Sequence, residues 1–119
     1  MATGSRRKIL VVDDNVGLAE NIAEILGMAG HVIEVAASAE EALSKVGSPP
    51  PDVVVTDYRL PGISGAALVR RLRQDGAPVH AIIISAHTDD GTVEDARRAG
   101  AAFVAKPIDF VALGRLVEG

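Results

Sequence analysis

Five short apolar runs recur along this 119-residue chain, and they constrain its fold more than any other feature. They read KILVV (8–12), HVIEVA (31–36), DVVVT (52–56), AIIIS (81–85) and AFVAK (102–106). Each has strand length, and three are nearly unbroken Val and Ile, the pattern of parallel strands covered on both faces. The second run alternates more, which suits an edge position.

The segments between the runs carry helix signals. Asn15 is placed to cap a first helix, with Val16, Ala19, Ala23 and Leu26 on one face and Ala29–His31 as the stop. Ser38 and Glu41 have the spacing of a capping box that opens a second helix to about Val46. The GSPPP stretch (47–51) cannot continue that helix. Ser64 opens a third helix to about Gln74, with Ala67, Leu68 and Leu72 inward and Arg70, Arg71 and Arg73 forming a solvated face. Thr88 or Thr92 caps a fourth, ending at Ala99–Gly100, and Asp109 caps a fifth, with Ile108 and Leu113 as a hydrophobic staple. Strand and helix thus alternate five times. The expected fold is α/β and flavodoxin-like: a five-stranded parallel sheet, order 2-1-3-4-5, with right-handed crossovers and helices on both faces.

Composition narrows the functional classes. Aromatic residues are 3% of the chain, so the core is aliphatic and no aromatic platform for stacking bases is present. A net charge of −4 disfavours a nucleic-acid surface. With no cysteine, disulfides, thiolate catalysis and Cys-ligated zinc are excluded. The apolar runs are too short to span a bilayer, and the MATGSRRK start lacks the apolar segment of a secretion signal. The expectation is a cytoplasmic single domain over residues 8–119, preceded by a loose head or cloning remnant over 1–7.

Ligands of such sheets bind at the carboxyl ends of the strands. Here the first run ends on Asp13 and Asp14, the third on Asp57, the fourth on Ser85 and the fifth on Lys106–Pro107. Any one of these has an ordinary reading as a strand-end cap or surface ion pair. Five at one end of successive strands point to a shared site. Crowded carboxylates shift one another's pKa or take up a cation, and a few carboxylates, a carbonyl and waters suit Mg²⁺. With Lys106 and Ser85 alongside, Asp57 has the surroundings of a carboxylate that receives a phosphoryl group.

These residues resemble a receiver domain, the response-regulator module of two-component signalling. The resemblance rests on VVDDN, VVVTDYRLPGISG, IIISA and FVAKP in this order and spacing, and covers nearly the whole chain. It implies that Asp57 is the phosphoacceptor and that Asp14 is a direct Mg²⁺ ligand, with Asp13 acting largely through water. The backbone carbonyl of Arg59 would be the third protein ligand. Lys106 would pair with the acceptor and then with the phosphoryl group, ahead of a cis bond to Pro107. Ser85, where Thr is commoner, would be the switch hydroxyl. Phe103, where Tyr is commoner, would be the aromatic switch, read by packing alone. Arg59 and His87 fall at the variable rim positions that influence arrival and hydrolysis of the phosphoryl group, or are plain solvated residues. Tyr58 is assigned no chemistry. His31 reads as the end of a turn and His80 as an exposed or capped histidine.

The resemblance further implies a histidine kinase or phosphotransfer protein as donor. It implies an effector contacting the fourth helix, fifth strand and fifth helix, and a homodimer formed on phosphorylation. In this reading the domain catalyses only its own phosphotransfer and dephosphorylation. The alternatives are a Mg²⁺-dependent phosphohydrolase with an aspartyl-phosphate intermediate, or an interaction module that is not phosphorylated. Haloacid-dehalogenase-like phosphatases place a second Asp two residues after the nucleophile, where this chain has Arg59.

Overall fold

The computed structural model describes residues 6–47 and 49–118. Strands and helices alternate as β1 (Lys8–Val12), α1 (Val16–Met28), β2 (Val32–Ala36), α2 (Ala39–Lys45), β3 (Val53–Asp57), α3 (Gly65–Gln74), β4 (His80–Ser85), α4 (Asp90–Arg98), β5 (Ala102–Ala105) and α5 (Phe110–Glu118). All strand pairs are parallel, in the order β2-β1-β3-β4-β5, as the run pattern predicts.

The two-residue period of a strand sorts the aliphatic residues into two cores. Leu10, Val12, Val54 and Ile83 face α2, α3 and α4. Ile9, Val11, Val53, Val55, Ile82 and Ile84 face α1 and α5. Both faces of the central strands are therefore sealed, and only the strand ends are free to carry polar function. The edge strand β2 is buried only at its last residue.

Several local expectations shift. β3 includes Asp57, while Asp52 lies just outside it, its carboxylate accepting from the Lys8 amide at 2.9 Å. β2 starts at Val32, β4 at His80, β5 stops at Ala105, and α2 stops at Lys45. In α1 the buried stripe is Ala19, Ile22 and Leu26, whereas Val16 is exposed. In α3, Ala66 and Val69 are buried with Leu68 and Leu72, and Ala67 is only half-buried.

The cap of α4 is neither threonine. Asp89 is the N-cap and accepts from the Thr92 amide, while the Thr92 hydroxyl donates back to the same carboxylate. Asn15, Ser38 and Ser64 cap their helices as expected, and Asp109 accepts from the Val111 and Ala112 amides. Glu41 reaches back to the Ala37 amide at 2.8 Å, closing the second helix's start one residue earlier than a standard capping box.

His31 is buried, and its Nδ1 accepts from the Arg7 amide at 3.0 Å, so it holds the approach to β1 as well as ending a turn. Arg7 also donates to the Glu118 carbonyl. Residues 1–5 of the expected head lie outside the described residues.

Candidate functional site

Register builds the site. Val11 pairs with Val55 and Val12 with Thr56. Continuing that register sets Asp13 beside Asp57, at the ends of the neighbouring strands β1 and β3. Asp13, Asp14 and Asp57 offer carboxylate oxygens that all lie within 4.8 Å of one another. Asp13 is buried, Asp57 half-buried and Asp14 exposed. Burial pushes the Asp13 carboxyl above its usual range, opposed by the Asn15 amide that it accepts from at 2.9 Å, and the Asp57 charge pushes it further up. Lys106 Nζ approaches Asp57 Oδ1 at 3.3 Å and offsets part of that crowding.

The peptide from Lys106 to Pro107 is cis. The Lys106 amide donates to the Ser85 carbonyl at 2.9 Å, which joins the ends of β4 and β5. Ser85 is buried, and its Oγ accepts from the His87 amide at 2.9 Å rather than bonding Asp57. Phe103 pairs in register with Ile83 and lies half-buried against the core under α2, α3 and α4. Arg59 and His87 are both exposed at the rim. Four of the expected residues, Asp13, Asp14, Asp57 and Lys106, thus converge. Ser85 stands one strand over with its hydroxyl engaged by the loop, and Phe103 lies further down β5.

The backbone around Asp57 is fixed from both sides. The Tyr58 amide donates to the Ile84 carbonyl at 2.8 Å, and its carbonyl accepts from the Gly65 amide at 2.7 Å. The Thr56 hydroxyl donates to the Asp57 carbonyl. Pro61–Gly62 makes the turn between, with Gly62 at φ +90°, a conformation costly for residues with a Cβ.

Sequence reasoning passed over two features here. A Cβ on Gly65 would run into the Asp57 carbonyl oxygen, so α3 starts against Asp57 only because that position is glycine. The last residue of PGISG carries this signal, but a lone glycine at a helix start has many uses. Tyr58 also has a role: its hydroxyl donates to Asp95 Oδ2 on α4 at 2.7 Å, while Arg70 Nη2 on α3 donates to Asp95 Oδ1 at 2.6 Å. The arginine and the phenol hold the Asp95 carboxyl below its usual range, and the same bond raises the Tyr58 phenol.

The arginines of α3 are exposed, as expected of a solvated face, but two of them, Arg70 and Arg73, also tie α3 to α4. Arg73 donates to the carbonyls of Ala99, Val79 and Gly100 and so covers the C-terminal end of α4. Arg71 pairs with Asp75 of its own helix.

The donor set fits a hard divalent cation, since the converging groups are all carboxylate oxygens without nitrogen or sulfur ligands among them. An ammonium 3.3 Å from one carboxylate completes a centre able to attract and neutralise a phosphoryl group.

A parallel five-stranded sheet with an acidic strand-end cluster defines a phosphoacceptor signalling module of the response-regulator kind. The chain belongs to the response regulator receiver domain family, whose model matches residues 9–118. It is 41% identical over 103 residues to Response regulator receiver protein Anae109_2439 of Anaeromyxobacter sp. (strain Fw109-5), covering 86% of this chain and 43% of that protein. It is 30% identical over 104 residues to Sporulation initiation phosphotransferase F of Bacillus subtilis (strain 168), covering 87% of this chain and 84% of that one. A CheY-like response regulator receiver domain protein from Methanospirillum hungatei JF-1 superposes with a TM-score of 0.87 at 25% identity, over 96% of this chain and 92% of the other.

The chain spans less than half the length of several curated relatives that it matches. Membership speaks against the phosphohydrolase and the non-phosphorylated module. Among the described residues, no helix is long and apolar enough to cross a membrane.

Proposed function

We propose that Asp57 accepts a phosphoryl group from a phosphohistidine of a histidine kinase or phosphotransfer protein, with Mg²⁺ as the cofactor. A carboxylate oxygen of Asp57 forms the new P–O bond as the P–N bond to the donor imidazole breaks, and the imidazole leaves with its electron pair and takes up a proton. Asp13, Asp14, Asp57 and the Arg59 carbonyl would hold the ion, which supplies positive charge for the phosphoryl oxygens. Lys106 meets one of those oxygens from the other side, and Ser85 turns its hydroxyl from the His87 amide to another. Arg59 and His87 line the approach of donor and of hydrolytic water. The domain's own catalysis is confined to this transfer and to hydrolysis of its acyl phosphate.

The output is binding. Ser85 and Phe103 rearrange, and the surface of α4, β5 and α5 changes its affinity for an effector, or for a second copy of the chain. The setting is the cytoplasm, where the kinases of two-component systems present their phosphohistidine, and residues 8–119 act as one receiver unit. The observation that carries the reading is the juxtaposition of three carboxylates within 4.8 Å with Lys106 at 3.3 Å from Asp57.

The test uses a small acyl-phosphate donor and Mg²⁺, read by intact mass. Wild type should gain one phosphoryl group, and Asp57→Asn should gain none. An unmodified wild type, or an equal adduct on the variant, overturns the assignment.

A further inference from the structure

Helix α4 buries only Thr92 and Ala96, no side chain larger than threonine, so apolar packing alone holds it weakly. Its seat is set by polar ties. Arg73 covers its C-terminal end, and Asp95 at its middle takes one hydrogen bond from Tyr58 and one from Arg70. Tyr58 is the residue bonded to Asp57, and its backbone is pinned through both amide and carbonyl, to Ile84 and Gly65. Its backbone cannot follow α4 if the helix moves.

We propose that Tyr58, Asp95 and Arg70 form a latch between the acceptor loop and α4, with the Tyr58–Asp95 bond made in the unmodified protein and broken when Asp57 is phosphorylated. The trigger rests on Asp57 being the phosphoacceptor. The Ser85 hydroxyl holds the amide of His87, two residues before the Asp89 cap of α4. Once that hydroxyl turns to a phosphoryl oxygen, the loop carrying the start of α4 loses its tie to β4. The helix shifts about its Arg73-covered end, and the bond that must stretch is the one to the immobile Tyr58. The latch therefore opposes switching, and by reciprocity a protein without it switches more readily.

Tyr58 is the single tyrosine of a chain without tryptophan, so intrinsic emission reports this bond directly. A carboxylate hydrogen-bonded to a phenol quenches its emission by accepting the proton in the excited state. Wild type and Asp95→Asn are treated with the acyl-phosphate donor and Mg²⁺, following intact mass and tyrosine emission in the same samples. As the adduct forms, wild-type emission should rise toward that of Asp95→Asn, which is bright from the start and changes little.

In the unmodified protein, Tyr58→Phe should speed amide exchange in α4 about fivefold, the loss of one hydrogen bond of ordinary net strength, and leave α3 as in wild type. An adduct without an emission change overturns the latch, as does unchanged α4 exchange in Tyr58→Phe. Absence of any adduct overturns the phosphoacceptor assignment instead, and the exchange measurement still decides whether the bond holds α4.

Discussion

Helices α3 and α4 cover the same face of the sheet but are held to it by opposite means. α3 buries Ala66, Leu68, Val69 and Leu72, and its first residue abuts the Asp57 carbonyl. α4 buries two small side chains and depends on Arg70 and Arg73 of α3 and on the Tyr58 hydroxyl for the rest of its fastening. The first arrangement fixes the backbone around Asp57 in place. The second leaves a surface element whose position a few hydrogen bonds decide, which is what a two-state switch needs. Elements that move are drawn from the less stable parts of a fold.

The largest effect that tests this contrast comes from core truncation. Leu68→Ala should cost about 2–5 kcal/mol of global stability in urea unfolding, because α3 is part of the core that folds as one unit. Ala96→Gly at the buried centre of α4 should cost about 1 kcal/mol, mainly through backbone entropy. Equal costs at the two sites would erase the distinction.

A smaller effect separates the helices by locality. Asp89→Ala removes the N-cap of α4 and should cost about 1 kcal/mol. That loss should appear as faster amide exchange across α4, with the protection of β3 and β4 unchanged. Ser64→Ala removes the matching cap of α3, and its cost should instead lower the global unfolding midpoint. If Asp89→Ala also lowers protection throughout the sheet, α4 is part of the cooperative core.

The strand framework and the acidic site were legible in the sequence for one physical reason. A strand buried on both faces must be aliphatic throughout, so a polar residue at its end stands out. Asp13, Asp14, Asp57, Ser85 and Lys106 all announce themselves in this way. The ties of α4 were not legible. Arg70 and Arg73 occupy polar positions of an amphipathic helix, and nothing in one helix's pattern reveals that a second helix lies against that face.

Tyr58 and Asp95 are 37 positions apart, and only the tertiary fold brings them together. The cap of α4 falls on Asp89 rather than on a threonine because several capping residues crowd the stretch HTDDGT, and the Asp89 carboxylate is the better acceptor. Gly65 escaped notice because its constraint comes from a carbonyl eight residues earlier.

The smallest effect is electrostatic, and its sign distinguishes α4 from α1. The carboxyls of Asp89, Glu94 and Asp95 all sit below their usual range in the folded protein, Asp89 through the Thr92 amide, Glu94 at about 2 through Arg97 and Arg98, and Asp95 through Arg70 and Tyr58. A depressed folded-state pKa contributes stability that is present above the unfolded value and lost as pH falls through the folded one. Protection of α4, corrected for intrinsic exchange, should therefore decline as pH drops from about 4 toward 2. The cap of α1 is the Asn15 amide, which does not titrate. Asp13, raised by burial, has the opposite sign: its contribution to stability is present at low pH and lost as pH rises through its folded value, so acid relieves the crowded strand ends. The expected result is a protein whose sheet and α1 keep their protection in mild acid while α4 loosens first. Parallel loss in α1 and α4 would show that the acid response is global, and that the carboxylates of α4 are not what fastens it.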